Sequence, residues 1–168
     1  MKTRSKTVAK LFSTPAFLSH LPVVAGMPVP VFVTWFDGVP DFRVPDTQKV
    51  AECLKLRLCG ICGRKLGEHM YFIGGPLSKA NKLFNDPPMH KACAEFSSRV
   101  CPYLTGKRQD YSRRAVPDKT RVTKLMAHGR PAELFILKAR TKDLALTQVQ
   151  GKYLITITKN FVGCAKLA

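Results

Sequence analysis

The chain of 168 residues contains 28 Lys and Arg against 11 Asp and Glu, so its formal net charge is +17. Hydrophobic residues make up 45% of it, which is enough to build a core and excludes a wholly disordered protein. The length suits one domain, or one domain with a tail. No run of about 18 apolar residues occurs, so the sequence predicts neither a membrane-spanning helix nor a membrane partner.

The positive charge is concentrated in two segments. Residues 1–10 contain four basic and no acidic residues, and residues 105–130 contain eight basic and two acidic residues. We predict that residues 1–20 form a loosely ordered basic arm and that 105–130 form an exposed basic linker. Residues 21–104 are expected to form the main folded domain, and residues 131–168 to add strands that pack on it.

The first predicted elements are a β-hairpin and a helix. Strands are predicted at 31–36 and 39–44, and the Asp-Gly pair at 37–38 is typical of a two-residue hairpin turn. A short amphipathic helix is predicted over 47–57, because apolar residues follow Asp46 at helical spacing. Aspartate is also a favoured residue at the N-cap of a helix.

A knuckle, a second hairpin, a second helix and three strands follow along the chain. The Asp-Pro-Pro sequence at 86–88 predicts where the helix begins, since proline is tolerated in the first helical turn. The predicted elements are the knuckle at 59–63, a hairpin over 66–73 that Gly74-Gly75-Pro76 closes, a helix over 89–101, and strands over 133–140, 144–149 and 153–159, with a turn at 150–151. The predicted fold class is α+β, with a flanking β-hairpin and a small C-terminal antiparallel sheet.

Four residues form two ligand pairs for a metal ion. Cys59 and Cys62 make a Cys-x2-Cys knuckle, and His90 and Cys93 follow after 27 intervening residues. The knuckle points both thiolates the same way, and Gly63 lets the backbone turn after them. Because His90 and Cys93 are three residues apart at the start of a predicted helix, they share one face. Three thiolates and an imidazole are typical of a zinc ion, and a site closed by four protein ligands is typical of a structural one.

A knuckle, a hairpin and a helix that carries the second ligand pair make up a treble clef, and the sequence predicts these parts in that order. The alternative is that the cysteines are buried free thiols and His90 is a surface residue. Cys101 is a competing fourth ligand, but it lies about 12 Å along the helix from Cys93 at ~1.5 Å per residue. We predict that Cys53, Cys101 and Cys164 are core cysteines and that the compartment is reducing and cytoplasmic.

The same segment allows an enzymatic alternative, a diverged metal-dependent endonuclease of the His-Asn-His type. Such enzymes place a catalytic histidine in the treble-clef hairpin, and His69 and Asn81 occupy comparable places here. Their chemistry also needs a helix ligand for a divalent ion, and the residues after Cys93 offer none. His69 is followed by Met-Tyr-Phe-Ile, which is typical of a strand. A binding module without catalytic residues is therefore the favoured hypothesis.

The basic segment is the predicted contact for a partner. Lysine and arginine bind phosphates and tyrosine stacks on exposed bases, so the pattern favours nucleic acid, with an acidic protein of the host or virion as the alternative. The plainer interpretation is a solvated charged loop. The predicted nucleic-acid-binding residues are Arg108, Arg113, Arg114, Lys119, Arg121 and Lys124, with Arg130, Tyr103 and Tyr111 close to them in the sequence.

Five strings of the sequence carry a resemblance to a known family. They are LPVVAGMPVPVFV, DGVPDFRVPD, CGICGRKLGEHMYFIGGP, DPPMHKACAEFS and CPYL, and they span about residues 21–104. In this order they resemble a family of small uncharacterised proteins carried by actinobacterial phages and prophages. The resemblance implies a phage protein of the bacterial host cytoplasm with a treble-clef zinc site, and it implies no activity. The chain departs from the family pattern in its many lysines and in its basic segment 105–130.

Overall fold

The computed structural model describes residues 13–107, 130–149 and 152–167. Within these residues the protein is α+β, and its strands pair antiparallel in small sheets of two or three. The helices are α1 (Thr47–Leu56), α2 (Pro76–Asn81) and α3 (Lys91–Val100), with 3₁₀ turns at Ala16–Leu18 and Thr141–Asp143. The strands are β1 (Val23–Val24), β2 (Met27–Pro28), β3 (Val33–Phe36), β4 (Val39–Pro45), β5 (His69–Gly74), β6 (Leu83–Phe84), β7 (Phe135–Arg140), β8 (Leu144–Val149), β9 (Lys152–Ile157) and β10 (Gly163–Lys166).

The predicted first hairpin and the helix after it are confirmed. Strands β3 and β4 pair through a turn at Asp37 and Gly38, whose φ angles of 48° and 77° are those of a type I′ turn. Helix α1 begins after Asp46, whose carboxylate accepts hydrogen bonds from the backbone amides of Gln48 at 3.0 Å and Lys49 at 3.2 Å. Two local signals, one for the turn and one for the cap, were therefore enough to place both elements.

The predicted hairpin over 66–73 is wrong. The segment contains one strand, β5, which pairs along its whole length with β7 from the C-terminal part of the chain. The Gly-Gly-Pro sequence does not close a hairpin, because Pro76 instead opens the short helix α2 at its first position. The side chains of Met70 and Phe72 lie on the face of β5 that is buried in the core. The strand that pairs with β5 must also be apolar on this face, and β7 meets that condition with Leu137 and Ala139.

The three predicted C-terminal strands are present as β7, β8 and β9, but they do not form a sheet of their own. Strand β7 lies between β5 and β10, and β9 lies between β6 and β8 in a different sheet. The short last strand, β10, was not predicted, and the predicted turn at 150–151 lies outside the described residues. Both three-stranded sheets therefore join the C-terminal segment to the segment that precedes α3, so apolar residues of both segments pack in one cluster.

The predicted basic arm over 1–20 is corrected for its last residues. Ala16–Leu18 form a 3₁₀ turn, and Leu18 is completely buried in the main hydrophobic cluster. Because it is completely buried, Leu18 is a core residue. The prediction depended on the basic residues of the segment, but burial of its apolar residues decides where its last part lies.

A hydrophobic cluster connects the two three-stranded sheets with α3. The ring of Phe72 stacks on that of Phe84 with centroids 4.2 Å apart, and Phe84 meets Phe161 edge to face at 6.2 Å. Cys59 and Cys93 belong to the same cluster, so the predicted ligands lie in the core and not in an appended module. In the described part of the chain, no helix is long and apolar enough to cross a membrane.

Candidate metal centre

The two predicted ligand pairs lie together in the structure. The Sγ atoms of Cys59, Cys62 and Cys93 and a ring nitrogen of His90 all lie within 4.8 Å of one another. The three cysteines are buried and His90 is half-buried. These four side chains, the Cys3His cluster, are therefore close enough to hold one metal ion.

The first ligand pair is positioned by the backbone of the knuckle. The amide of Gly63 donates to the Cys59 carbonyl at 2.8 Å, and the Cys59 amide donates to the Arg64 carbonyl at 2.8 Å. Gly63 has a φ of +71°, a left-handed conformation that side chains with a Cβ rarely adopt. This closed turn directs the sulfurs of Cys59 and Cys62 to the same side, as the Cys-x2-Cys spacing predicts.

The second ligand pair is positioned by the start of α3. His90 is the N-cap residue of that helix and Cys93 lies in its first turn, so their side chains project from one end of the helix. The His90 amide donates to the Sγ of Cys59 at 3.4 Å, and the His90 Nδ1 lies 3.4 Å from the Sγ of Cys62. The helix start and the knuckle therefore meet through the ligand atoms themselves.

The orientation of the His90 ring is set by a carbonyl outside the cluster. Its Nε2 lies 2.9 Å from the backbone oxygen of Lys65, and because a carbonyl can only accept, Nε2 carries the proton. The lone pair then belongs to Nδ1, the nitrogen that faces the sulfur of Cys62. This arrangement, with one ring nitrogen donating to a carbonyl and the other turned inward, is typical of metal-bound histidine.

The three sulfurs are close enough to compete for protons. The pKa of the Cys62 thiol lies well below its usual range, because Cys59 and Cys93 donate hydrogen bonds to its sulfur. The pKa of Cys59 is raised by its hydrogen bond to Cys62, and the pKa of Cys93 is raised by its hydrogen bonds to both neighbours. A divalent cation stabilises all three thiolates at once and removes this competition. The donor set therefore fits a cation.

Close packing joins the knuckle to the segment before α3. The Gly60 amide donates to the Pro88 carbonyl at 2.9 Å, and a Cβ at Gly60 would overlap the Cγ of Pro87 and lie 3.3 Å from the Phe32 ring. The Nε2 of His20 also lies 2.8 Å from the Cys62 carbonyl. The sequence did not predict His20, since a contact across 42 residues leaves no local signal.

Alanine at Gly60 is expected to destabilise the protein by about 1–3 kcal/mol, because the added methyl forces Pro87 and Phe32 away from the knuckle. Gly67 is the matched control, since a Cβ there meets nothing within 4 Å and its alanine variant should be neutral or slightly stabilising. Urea denaturation of both variants measures the difference. Equal midpoints for Gly60→Ala and Gly67→Ala would show that the knuckle does not depend on this contact.

The other cysteines divide into three environments. Cys53 is buried, as predicted, and burial raises the pKa of its thiol to about 11, which keeps it protonated. Cys101 is half-buried at the far end of α3, where it is the C-cap residue, and it is not among the four clustered ligands. The prediction that Cys164 is a core residue is wrong, because β10 leaves it exposed at the edge of its sheet.

The two residues of the nuclease alternative lie on different elements. His69 is the first residue of β5, where it is paired with Arg140 of β7, and Asn81 is the last residue of α2. The strand position of His69 agrees with the prediction from its apolar neighbours. In residues 13–107, 130–149 and 152–167, no other group of three His, Cys, Asp or Glu side chains has ligand atoms close enough to hold a metal.

The predicted nucleic-acid-binding residues, from Arg108 to Lys124, lie outside the described residues. Arg130, at the end of the predicted linker, is described and is half-buried. Its guanidinium donates to the carbonyl of Leu104 at 3.0 Å and to that of Pro131 at 3.3 Å. Arg130 is therefore occupied in joining the two ends of the linker.

Comparison of the chain with family models, with curated proteins and with solved structures finds no match. The resemblance to phage and prophage proteins accordingly stays a prediction, and functional conclusions depend on the Cys3His cluster and on the charge of the chain.

Proposed function

We propose that the Cys3His cluster holds a structural zinc ion. A tetrahedral zinc with bonds of about 2.3 Å to sulfur and 2.0 Å to nitrogen places these two atoms about 3.5 Å apart. The separation of the Cys62 Sγ and the His90 Nδ1 is 3.4 Å. Thiolates and imidazole are the ligands that zinc prefers, and four protein ligands leave no position for a substrate. This combination favours a structural over a catalytic ion.

We further propose that the centre is a variant of the treble clef. A knuckle and a helix start supply the ligands, as in that fold. The connecting hairpin differs, since β5 pairs with β7, and among the described residues its one strand pairing with the segment before α3 is the bridge between Tyr71 and Met89. A zinc ion here joins the knuckle to the start of α3, two segments that meet in the core, and its role is to hold them in a fixed relative position.

We propose that the protein as a whole is a non-enzymatic module that binds nucleic acid. The observation that carries this proposal is the excess of 28 basic over 11 acidic residues. The Cys3His cluster offers four protein ligands, the number typical of a structural rather than a catalytic site. A surface with this charge attracts phosphates and releases their counterions, which provides sequence-independent affinity. The predicted origin in a phage is compatible with such a role.

Binding to a labelled DNA or RNA oligonucleotide is expected with a dissociation constant of about 1–100 μM near physiological salt, measured by fluorescence anisotropy of the zinc-loaded full chain. The affinity should fall steeply as salt rises, because bound counterions are released. Incubation of supercoiled DNA with magnesium or manganese should give no cleavage.

Two outcomes would contradict this proposal. Affinity that does not change with salt, or that is absent at low salt, would show that the positive charge does not bind nucleic acid. Cleavage of supercoiled DNA that disappears in the His69→Ala variant would establish the nuclease alternative in its place.

A further inference from the structure

A basic hollow of about 540 Å³ lies between two loops of the C-terminal segment. One loop is the 3₁₀ turn Thr141–Asp143 that joins β7 to β8, and the other joins β9 to β10. The hollow is lined by Arg140, Lys142, Asp143, Lys159, Asn160 and Val162. None of these residues belongs to the predicted basic linker.

Hydrogen bonds to the backbone of the two loops, from both backbone and side-chain donors, hold them in place. The amide and the hydroxyl of Thr158 donate to the Asp143 carbonyl at 2.9 and 3.2 Å, which connects one loop to the other. The Thr141 carbonyl accepts a hydrogen bond from the guanidinium of Arg57 at 2.6 Å, and the Thr141 amide donates to the backbone carbonyl of Glu68 at 2.8 Å. The shape of the hollow is therefore fixed before any ligand arrives.

The charge of the hollow is positive and is not neutralised by neighbouring acids. Its lining has three basic side chains and one carboxylate, that of the buried Asp143, which gives a formal charge of +2. Among the described residues, no ion pair is found for Arg140, Lys142 or Lys159, and all three are exposed. By contrast, the exposed Lys91 is paired with Glu95 on α3. Three cations around one hollow, none of them paired with an acid in the described residues, raise the local affinity for an anion.

Asn160 adds an oriented amide to this set of charges. Its Oδ1 accepts a hydrogen bond from the Lys82 ammonium at 3.0 Å, which fixes the side chain. The Nδ2 group, which can only donate, is then the amide atom available to an acceptor ligand. A planar guanidinium, two ammonium groups and an amide donor match the several oxygens of a phosphate.

The neighbouring strand extends the positive charge beyond the hollow. Lys138 and Arg140 lie two residues apart on β7, on the face opposite Leu137 and Ala139, which are completely buried. At ~3.3 Å per residue, their backbones are about 7 Å apart along the strand. A row of separated cations suits a ligand with repeated charges better than a single small anion.

We propose that the basic hollow binds a backbone phosphate of a nucleic acid, with Arg140, Lys142 and Lys159 as its cationic contacts. This inference rests on the proposed nucleic-acid-binding function and places one contact of that function on the described surface. The remaining contacts continue along β7 through Lys138.

The test compares two triple variants that change the total charge equally, from +17 to +14. The site variant carries Arg140→Gln, Lys142→Gln and Lys159→Gln. The control carries Lys49→Gln, Lys91→Gln and Lys166→Gln, which remove exposed lysines that form ion pairs elsewhere. Thermal unfolding and zinc content of each variant, measured first, should match those of the wild-type protein, because all six side chains are on the surface.

Fluorescence anisotropy with a labelled oligonucleotide then measures affinity as a function of salt. We expect the site variant to bind at least about tenfold more weakly, with a salt dependence smaller by about one to two released ions, and the control to stay within about threefold of wild type. Equal weakening in both variants would overturn the hollow as a phosphate site while leaving nucleic-acid binding intact. Failure of the wild-type protein to bind would overturn the proposed function itself. Binding only to vesicles that contain phosphatidylserine, lost in the site variant, would assign the hollow to a lipid and overturn the proposal.

Discussion

Replacement of Cys62 by serine is expected to abolish stoichiometric zinc binding and to give the largest loss of stability of any single substitution in this protein. Cys62 carries the thiolate that its neighbours stabilise most, and its sulfur lies 3.4 Å from the His90 Nδ1. Zinc contributes about 10–16 kcal/mol of binding free energy in small zinc domains, and that energy stabilises the fold. Zinc content by mass spectrometry and thermal unfolding by circular dichroism measure both effects.

The matched control for this experiment is Cys164→Ser. Cys164 is exposed on β10 and lies outside the Cys3His cluster, so its variant should keep its zinc and unfold with the wild-type midpoint. Treatment of the wild-type protein with a chelator should reproduce the Cys62→Ser phenotype, and added zinc should reverse it. A Cys62→Ser protein that retains full zinc, or unfolds at the wild-type temperature, would rule out a structural zinc at this cluster.

Alanine at Phe72 is expected to destabilise the protein by about 3–5 kcal/mol, which corresponds to a fall of roughly 10 °C in the melting temperature. Phe72 is 1% exposed, and its ring lies on that of Phe84, which in turn touches Phe161. These rings come from three separate parts of the chain, so the cavity left by alanine lies where the parts meet. Thermal denaturation with zinc in excess measures the change.

Phe36→Ala serves as the control for that prediction, because Phe36 is 46% exposed beside the turn of the first hairpin. Its loss should change stability by no more than about 0.5 kcal/mol. Comparable destabilisation by the two substitutions would show that the aromatic cluster does not connect the C-terminal strands to the part of the chain that contains the Cys3His cluster.

The parts of the fold that depend on residues close together in the sequence were predicted from local sequence patterns. The Asp-Gly turn placed the first hairpin, and Asp46 placed the start of α1. The Cys-x2-Cys and His-x2-Cys spacings identified the ligand set, because each pair is positioned by one turn of backbone. The distance between the two pairs, however, could not be predicted, since it depends on how Gly60 packs against Pro87.

Pairing between distant strands was predicted incorrectly, for a physical reason. The alternation of apolar residues along β5 indicates that one face of the strand is buried. It does not specify which strand pairs with β5. In the folded protein, β5 pairs with β7, which lies more than 60 residues later in the sequence. The same applies to Leu18, whose burial depends on the core it reaches and not on its basic neighbours in sequence.

The sequence by itself determined that the chain is basic, that it folds as α+β and that three Cys and one His occur in two closely spaced pairs that suit a metal ion. These conclusions follow from composition and from spacings within single turns. Only the tertiary structure decided that the four ligand atoms converge within 4.8 Å, and that Arg140, Lys142 and Lys159 surround one hollow. Such convergence depends on contacts between residues far apart in the chain, and these are selected by total burial in the folded core rather than by local preference.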